Sequence, residues 1–189
     1  GKALLNSLSD IMDYVRIEAG EIALDAFPFN LDELLQVIVS RHREEALARG
    51  LQYGYDYAAG LPRLFLGDGA RIQQMLNNLL DNAIKFTHEG QVQVRVSGVV
   101  LQARRYLIGI EVEDTGIGIA TDTRDRLFQV FSQGDSSSTR AYGGSGLGLA
   151  ITSRLVKLMR GTLTLQSEQG RGSLFRIELP LELYQEVAG

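Results

Sequence analysis

A carboxylate followed by two glycines stands at the end of a predicted strand. Polar and apolar residues alternate from Tyr106 to Glu113, and Asp114, Gly116 and Gly118 follow directly. Glycine has no Cβ, so a backbone there can approach a ligand closely. A desolvated carboxylate is a strong acceptor for an amino group. The pattern predicts a site in which Asp114 recognises the amino group of a purine base, and the alternative is an acidic turn residue.

A second glycine-rich stretch opens an amphipathic segment that predicts a helix from about Gly146 to Met159. The N-terminus of a helix offers free backbone N–H groups and a positive dipole end, which suit an anion. Glycines at alternate positions would let these N–H groups close on phosphates. The candidate phosphate-binding residues are Gly144, Ser145, Gly146, Leu147 and Gly148.

Residues 132–142, between the two glycine stretches, are polar and too many for an ordinary connection. Long loops in compact domains are usually lids or disordered, and we interpret this one as a lid over a nucleotide. Arg140 could reach a transferring phosphoryl group there, and Tyr142 could cover the nucleotide. For both, a side chain that points to solvent is the alternative. Phe128 and Phe131 are interpreted as packing residues that anchor the lid.

A helix predicted to follow the break at residues 67–69 and to run to about Thr87 carries two different faces. Gln74, Asn78, Asn82 and Lys85 fall within a sector of about 80°, so that one face presents amides and an amine. The opposite, apolar face is predicted to pack, and it consists of Ile72, Met75, Leu76, Leu79, Leu80 and Ala83. The alternative for the polar face is solvated helix surface.

Composition excludes several classes of protein. The net charge of −4 over 189 residues provides no basic field that would hold nucleic acid. Without cysteine there are no disulfides or thiolate metal sites, so a metal would need oxygen ligands. No apolar run approaches the roughly 18 to 20 residues that cross a bilayer, so no direct membrane contact is expected. The length suits one main domain with an appendage.

The remaining elements were predicted from periodicity and capping signals. Residues 3–19 have apolar residues at alternating steps of four and three, which is typical of a helix packed on a partner helix, and Gly20 ends this helix. Asn30 with Glu33 predicts the start of a helix to about Arg49. Short strands are predicted at 22–29, 51–57, 64–66, 91–96, 106–113, 162–167 and 173–179. The fold class is α+β: a two-layer α/β sandwich with a mixed, largely antiparallel sheet covered on one face by helices, preceded by a projecting N-terminal helix.

Taken together, these motifs resemble the ATP-binding catalytic domain of a sensor histidine kinase, in the superfamily shared with gyrase B, Hsp90 and MutL. The resemblance covers nearly the whole chain, and it is strongest to hybrid kinases. It implies the Bergerat-type ATP-binding fold over residues 21–189, and residues 1–20 are similar to the end of the dimerisation and phosphoacceptor hairpin. The matching motifs are the N box (Gln74–Thr87), the first glycine box (114–118), the F box (127–131), the second glycine box (143–149) and a trailing glycine element (170–173).

The resemblance implies roles for the polar helix face. Asn82 would be the ligand of Mg²⁺, with Asn78 beside it at the phosphates of ATP, and Lys85 would neutralise phosphate charge. Asn78, Lys85 and Arg140 are therefore the candidate catalytic residues. ATP and Mg²⁺ are the expected cofactors.

A kinase of this type transfers the phosphoryl group to a histidine on an upstream helix and then to a receiver aspartate. This chain has only His42 and His88, and neither stands in an acceptor-like context. We therefore expect it to bind nucleotide without phosphorylating itself. The expected partners are the upstream hairpin, a second subunit in a homodimer or heteromer, and a receiver domain. A cytoplasmic location within a protein anchored in the inner membrane is expected.

Two alternatives remain open at this point. A degenerate kinase would keep the fold only to bind partners. An ATPase of the gyrase or Hsp90 type is disfavoured, because those relatives use a glutamate one turn before the metal asparagine, and Asn78 cannot take a proton there.

Overall fold

A computed structural model describes residues 11–12, 15–16, 19–20, 23–118 and 148–185. Residues 11–12 and 15–16 are helical, in agreement with the predicted N-terminal helix. Gly20 has φ of +71°, a conformation that glycine tolerates and that commonly follows a helix end. The apolar side chains of Ile11, Met12 and Val15 are exposed.

The remaining described residues form three helices and seven strands. In chain order they are β1 (Phe27–Asn30), α1 (Leu31–Ala48), β2 (Gln52–Tyr57), β3 (Leu64–Gly67), α2 (Gly69–Phe86), β4 (Gln91–Gln102), β5 (Arg105–Asp114), α3 (Gly148–Leu158), β6 (Thr162–Glu168) and β7 (Gly172–Leu183).

All seven strands belong to one sheet. Its order is β1-β3-β7-β5-β4-β2, and β6 pairs with β7 beside this path. The edge strand β2 runs parallel to β4, and the other pairs are antiparallel. The predicted mixed, largely antiparallel sheet is therefore confirmed.

Alternation along the central strands decides which face of the sheet is covered. Val92, Val94 and Val96 of β4 are buried in the core against the helices. Arg95, between them, lies on the opposite face and pairs with Glu111 at 3.5 Å and Glu113 at 3.3 Å. One face is thus apolar and carries the helices, whereas the other bears cross-strand ion pairs.

Side-chain caps mark the starts of α1 and α2, and the first of them was predicted. The Asn30 side chain accepts a hydrogen bond from the Glu33 N–H at 3.0 Å, and Asp68 accepts one from the Arg71 N–H at 3.1 Å. Each bond satisfies one of the backbone donors that a helix start leaves free. The apolar stripe predicted for α2 is buried.

A buried carboxyl joins α1 to the neighbouring strand and loop. Asp32 accepts hydrogen bonds from Tyr55 at 2.7 Å, Gln36 at 3.0 Å and Arg63 at 3.0 Å. Burial raises the pKa of Asp32, but these three hydrogen bonds and the Arg63 charge outweigh it, so the net pKa is lowered. The ionised carboxyl therefore stabilises this part of the fold.

Some predicted bounds were wrong. The strand predicted over 22–29 begins only at Phe27, where pairing with Gly67 starts. The last strand continues to Leu183, because its end pairs with β3. The predicted F-box residues Leu127, Phe128 and Phe131 lie outside the described residues. Among the described helices, none combines the length and apolar character needed to cross a membrane.

Candidate nucleotide-binding site

Asp114 ends the central strand β5 and is almost completely buried. Its backbone pairs with Val92 of β4 on one side and Ser173 of β7 on the other. Its side chain is 6% exposed, and Oδ1 accepts a hydrogen bond from the Gly116 N–H at 2.9 Å. The predicted strand-end carboxylate is therefore present, and two neighbouring strands fix its backbone.

The surroundings of this carboxyl oppose its ionisation. Burial is the largest influence and raises the pKa of Asp114, and the nearby charge of Glu113 acts in the same direction. Hydrogen bonds from the backbone N–H groups of Gly116 and Ser173 and from the Thr87 hydroxyl lower the pKa only in part. A carboxyl in such an environment benefits strongly from another donor, which an amino group of a ligand would supply.

The end of β5 and the residues next to it (114–118 and Gly172) are called the Asp114 corner below. Three glycines in this corner allow protein backbones to come close together. A Cβ at Gly116 would overlap the Phe86 carbonyl at the end of α2, and one at Gly118 would overlap the Glu168 carbonyl. A Cβ at Gly172 would overlap the carbonyl of Asp114 itself. The sequence predicts that a ligand approaches the backbone at Gly116 and Gly118. The structure adds a second reason for glycine at these positions. The end of α2 and the end of β6 lie so close to the Asp114 corner that a Cβ would not fit.

Asn78 connects α2 to the start of α3. Its Nδ2 donates to the Gly148 carbonyl at 3.1 Å and to Thr152 Oγ1 at 3.3 Å. Thr152 Oγ1 also donates to the Gly148 carbonyl, at 2.8 Å. Asn78 therefore holds the positive end of α3 against the polar face of α2, which is the arrangement that suits a phosphate.

Asn82 and Lys85 continue the polar face of α2 towards the Asp114 corner. Asn82 is half-buried and Lys85 is exposed, one and two turns beyond Asn78 on a helix with about 3.6 residues per turn. The ammonium group of Lys85 lies 6.0 Å from the centre of the Phe86 ring. Phe86 is the residue whose carbonyl receives the Ile117 N–H at 3.3 Å. The Asn82 amide and the Lys85 amine thus lie on the last turns of α2, the helix whose end contacts the Asp114 corner.

The structure brings together one part of the predicted site. Asn78 and Gly148 are in contact, Gly116 and Gly118 adjoin Asp114, and Asn82 and Lys85 lie on the helix between these two groups. The other predicted residues lie outside the described ranges, so their placement stays a prediction. They are Arg140, Tyr142, Gly144, Ser145, Gly146 and Leu147.

Two neighbours of the Asp114 carboxyl received no role from the sequence. Thr87 is fully buried, and the sequence marks it as the last residue of the predicted helix and of the N box without giving it a role. Ser173 is also buried, and it pairs with Asp114 across the β5–β7 ladder. The available signals were weak: a threonine directly after an amphipathic helix, and a serine directly after a Gly-x-Gly turn.

The described residues fit a nucleotide with its metal ion. A buried carboxyl suits the base, whereas an amide face beside a helix N-terminus suits phosphates. Among the described residues, no group of three or more histidines or carboxylates could hold a metal alone. Mg²⁺ usually keeps several waters and binds through one or two protein oxygens with substrate phosphates, so Asn82 is a suitable single ligand.

The open mixed sheet, its helical layer and this corner define an ATP-binding domain of the two-layer class. The chain belongs to the family described as Histidine kinase-, DNA gyrase B-, and HSP90-like ATPase, which matches residues 67–183.

Curated relatives place the chain within one branch of that family. The signal transduction histidine-protein kinase BarA of Escherichia coli (strain K12) is 37% identical over 184 residues, which cover 97% of this chain and 20% of BarA. The sensory/regulatory protein RpfC of Xanthomonas campestris is 39% identical over 183 residues, which cover 96% of this chain and 25% of RpfC. The chain thus spans about a quarter or less of these relatives. It is an ATP-binding catalytic domain of the sensor histidine kinase type.

Two solved structures agree with this placement. Full-length ShkA in complex with AMPPNP matches with a TM-score of 0.80 and 33% identity, over 97% of this chain and 37% of that chain. The mycobacterial sensor histidine kinase MprB matches with a TM-score of 0.63 and 25% identity, over 84% of this chain and 99% of that chain. The predicted fold class and family are confirmed.

Proposed function

We propose that this chain positions Mg·ATP so that its γ-phosphoryl group passes to a histidine on an upstream helix, for relay to a receiver aspartate. In such a transfer the bond from the γ-phosphorus to the bridging oxygen breaks, a bond to the imidazole nitrogen forms, and ADP leaves. The domain itself mainly positions the reactants and supplies electrostatic stabilisation.

The contacts of Asn78 carry this proposal. An ATPase of the gyrase or Hsp90 type needs a general base one turn before the metal asparagine, and here that position holds an amide. Its Nδ2 donates to the Gly148 carbonyl at 3.1 Å, so the side chain serves as a donor that holds α3 in place. A side chain in this role cannot activate water. Transfer to a separate acceptor is therefore favoured over hydrolysis.

The residues of the chain have distinct roles in this proposal. Asp114 accepts a hydrogen bond from the adenine amino group. Asn82 supplies an oxygen to Mg²⁺, Asn78 holds the start of α3 at the phosphates, and Lys85 neutralises their charge. Arg140, in the segment predicted to be a lid, would stabilise charge that develops on the transferring group.

We infer the partners from the same family membership. Residues 1–20 would be the end of a helical hairpin that carries the phosphoacceptor and forms a dimer, with the catalytic domain over 21–189. The exposed apolar side chains of Ile11, Met12 and Val15 support this division, since such a seam needs a second helix. A receiver domain is the proposed final acceptor of the phosphoryl group. The proposed location of this domain is the cytoplasm, within a protein anchored in the inner membrane.

The test has two stages. Titration calorimetry should first detect Mg-dependent binding of ATP to the 189-residue chain. Asn82→Ala should abolish the Mg dependence, whereas Asn77→Ala is the matched control, because Asn77 Oδ1 instead lies 3.0 Å from His42 Nε2 on α1. The upstream hairpin should then be restored, and acid-labile, base-stable phosphoprotein should form.

Each stage can refute a different part of the proposal. Absence of any heat with Mg·ATP would refute the nucleotide site. Binding without phosphoprotein in the restored protein would favour a partner-binding regulatory module. Steady release of phosphate without phosphoprotein would favour an ATPase.

A further inference from the structure

Strand β2 forms an edge of the sheet with one side open. In the part of the chain that the structure describes, it pairs only with β4. The Gln52 N–H donates to the Gly90 carbonyl, and the Ala58 N–H just after β2 donates to the Val96 carbonyl, each at 2.9 Å. Backbone groups of successive strand residues point to alternate sides, so the even-numbered residues face β4. The backbone N–H and C=O groups that face away from the sheet belong to Tyr53, Tyr55 and Tyr57.

The sequence of β2 contains none of the usual guards of an edge strand. Exposed edges are commonly short, bulged or interrupted by proline or lysine, which prevents another strand from adding. Strand β2 has six residues without proline or lysine, and it pairs with β4 in a continuous register. Its one charged side chain, Asp56, accepts a hydrogen bond from Gln93 Nε2 of β4 at 3.3 Å, so this charge is held over the sheet. By contrast, the edge strand β1 has four residues and contains Pro28.

A cleft lies beside this open edge, between β2 and α1. Its volume is about 420 Å³, which is within the roughly 300 to 1,000 Å³ typical of ligand sites. The α1 wall contains Gln36, Val39, Ser40 and Arg43, and the β2 wall contains Tyr53, Gly54 and Tyr55. Side chains along a strand alternate between the two faces of a sheet. Every second side chain of a strand added to β2 would therefore point towards the cleft.

Hydrogen bonds fix both walls of the cleft. The Tyr53 hydroxyl donates to the Val39 carbonyl at 2.8 Å, and the Tyr55 hydroxyl donates to Asp32 Oδ1 at 2.7 Å. Gln36 Nε2 donates to the same carboxylate oxygen at 3.0 Å. The cleft is thus largely formed before anything binds, which reduces the cost of ordering it.

The charge of the cleft comes from one arginine. Among the described residues that line it, Arg43 is the only charged one. Its guanidinium carbon lies 5.6 Å from the centre of the Tyr53 ring, a contact that stabilises the cation at this place. A guanidinium group presents a planar fork of N–H donors that matches a carboxylate. The cleft is therefore complementary to an acidic side chain.

We propose that the β2 edge binds an extended, acidic peptide segment of a partner, which adds to the sheet as a further strand and directs a carboxylate to Arg43. Hydrogen bonds to the outward backbone groups supply affinity, and the cleft selects the side chain. A second copy of the chain fits less well, because its own β2 would direct tyrosines rather than a carboxylate towards the cleft. The proposal is independent of the nucleotide site, since β4 separates β2 from β5.

The side-chain part of the proposal is tested by selecting a phage-displayed library of random heptapeptides against the wild type and against Arg43→Glu. Peptides selected on the wild type should carry aspartate or glutamate, and those selected on Arg43→Glu should carry lysine or arginine. A selected acidic peptide should bind Arg43→Glu at least about 10-fold more weakly by fluorescence anisotropy. Arg41→Glu is the matched control, because Arg41 is exposed on α1 but does not line the cleft; this variant should bind the same peptide as the wild type does.

The backbone part is tested with two N-methylated forms of one selected peptide. Successive amides of an added strand point towards β2 and away from it. Methylation of one alternating set of amides should therefore abolish binding, and methylation of the other set should leave it unchanged. Binding of the unmethylated peptide should also slow hydrogen exchange at the outward amides of Tyr53, Tyr55 and Tyr57.

Several results would overturn the proposal. They are a selection that yields no peptide dependent on Arg43, equal affinity of a selected peptide for Arg43→Glu, and equal effects of the two methylation patterns. Slower exchange of the same three amides on raising the protein concentration alone would show that a second copy occupies the edge instead. Mg·ATP affinity should be the same in Arg43→Glu and the wild type, so failure of the nucleotide site and failure of this inference are distinguishable.

Discussion

Gly116→Ala would test whether backbone contact at the Asp114 corner determines the site. A Cβ there would lie 3.0 Å from Asp114 Oδ1 and closer still to the Phe86 carbonyl oxygen. The optimal separation of nonbonded heavy atoms is about 3.5 Å or more. Relief therefore requires the corner to move away from α2 by on the order of 1 Å.

Two costs follow from that movement. Overpacking a close contact typically costs about 1–3 kcal/mol. The hydrogen bond from the Ile117 N–H to the Phe86 carbonyl is already 3.3 Å long and would be lost, for about 1 kcal/mol more. The free energy of unfolding should therefore fall by roughly 2–4 kcal/mol. A displaced Asp114 carboxyl would also lose the hydrogen bond proposed between it and the base, so Mg·ATP should bind roughly 10- to 100-fold more weakly.

Urea denaturation gives the stability, and titration calorimetry gives the affinity. Gly69→Ala is the matched control, because a Cβ there meets Leu34 Cδ2 at an ordinary 3.6 Å. Since Gly69 lies in a helix, this control should be neutral or more stable by up to about 1 kcal/mol. If Gly116→Ala matched the wild type in both measurements, the argument from backbone contact would be refuted.

Three further substitutions test two buried carboxyls and one half-buried amide, each by urea denaturation. Asp32→Asn should lower the free energy of unfolding by about 1–3 kcal/mol near neutral pH. Because the folded pKa of Asp32 is lowered from 3.8, its contribution is present above that value and lost as pH falls through the folded pKa; a pH-independent difference would contradict this. Asn78→Asp should cost about 1–3 kcal/mol, since an ionised carboxylate cannot donate to the Gly148 carbonyl, and unchanged stability would remove that role. Burial raises the folded pKa of Asp114 above the unfolded value of 3.8. The free energy of unfolding of the wild type should therefore fall relative to that of Asp114→Asn as pH rises from the unfolded pKa to the folded pKa. Parallel pH curves for the two proteins would contradict the raised pKa.

Local patterns predicted much of the fold. The alternation of Val92, Val94 and Val96 indicated the covered face of the sheet, and the pair Asn30 and Glu33 indicated the start of α1. Both signals arise from residues near one another in the chain. The parallel pairing of β2 with β4 was not predicted, because a strand's partner depends on distant segments.

The candidate site shows the same division. Asp114 could be predicted because a strand, a carboxylate and two glycines follow one another in the sequence. The hydrogen bond from the Ile117 N–H to the Phe86 carbonyl could not, because it depends on how the end of α2 meets the segment after β5. The glycine pattern was informative, yet Gly116 and Gly118 also serve contacts with the Phe86 and Glu168 carbonyls. Such backbone contacts between distant segments leave no spacing signal.

The position of β5 between β4 and β7 has a further consequence. Moving the backbone of Asp114 requires the ladders on both sides to open, so this amide region should exchange hydrogen only when the whole domain unfolds. The proposed recognition of the base by Asp114 is then linked to global stability. Any condition that leaves the domain folded also leaves its recognition strand rigid, and adjustments of affinity must arise from side-chain orientation or from other segments.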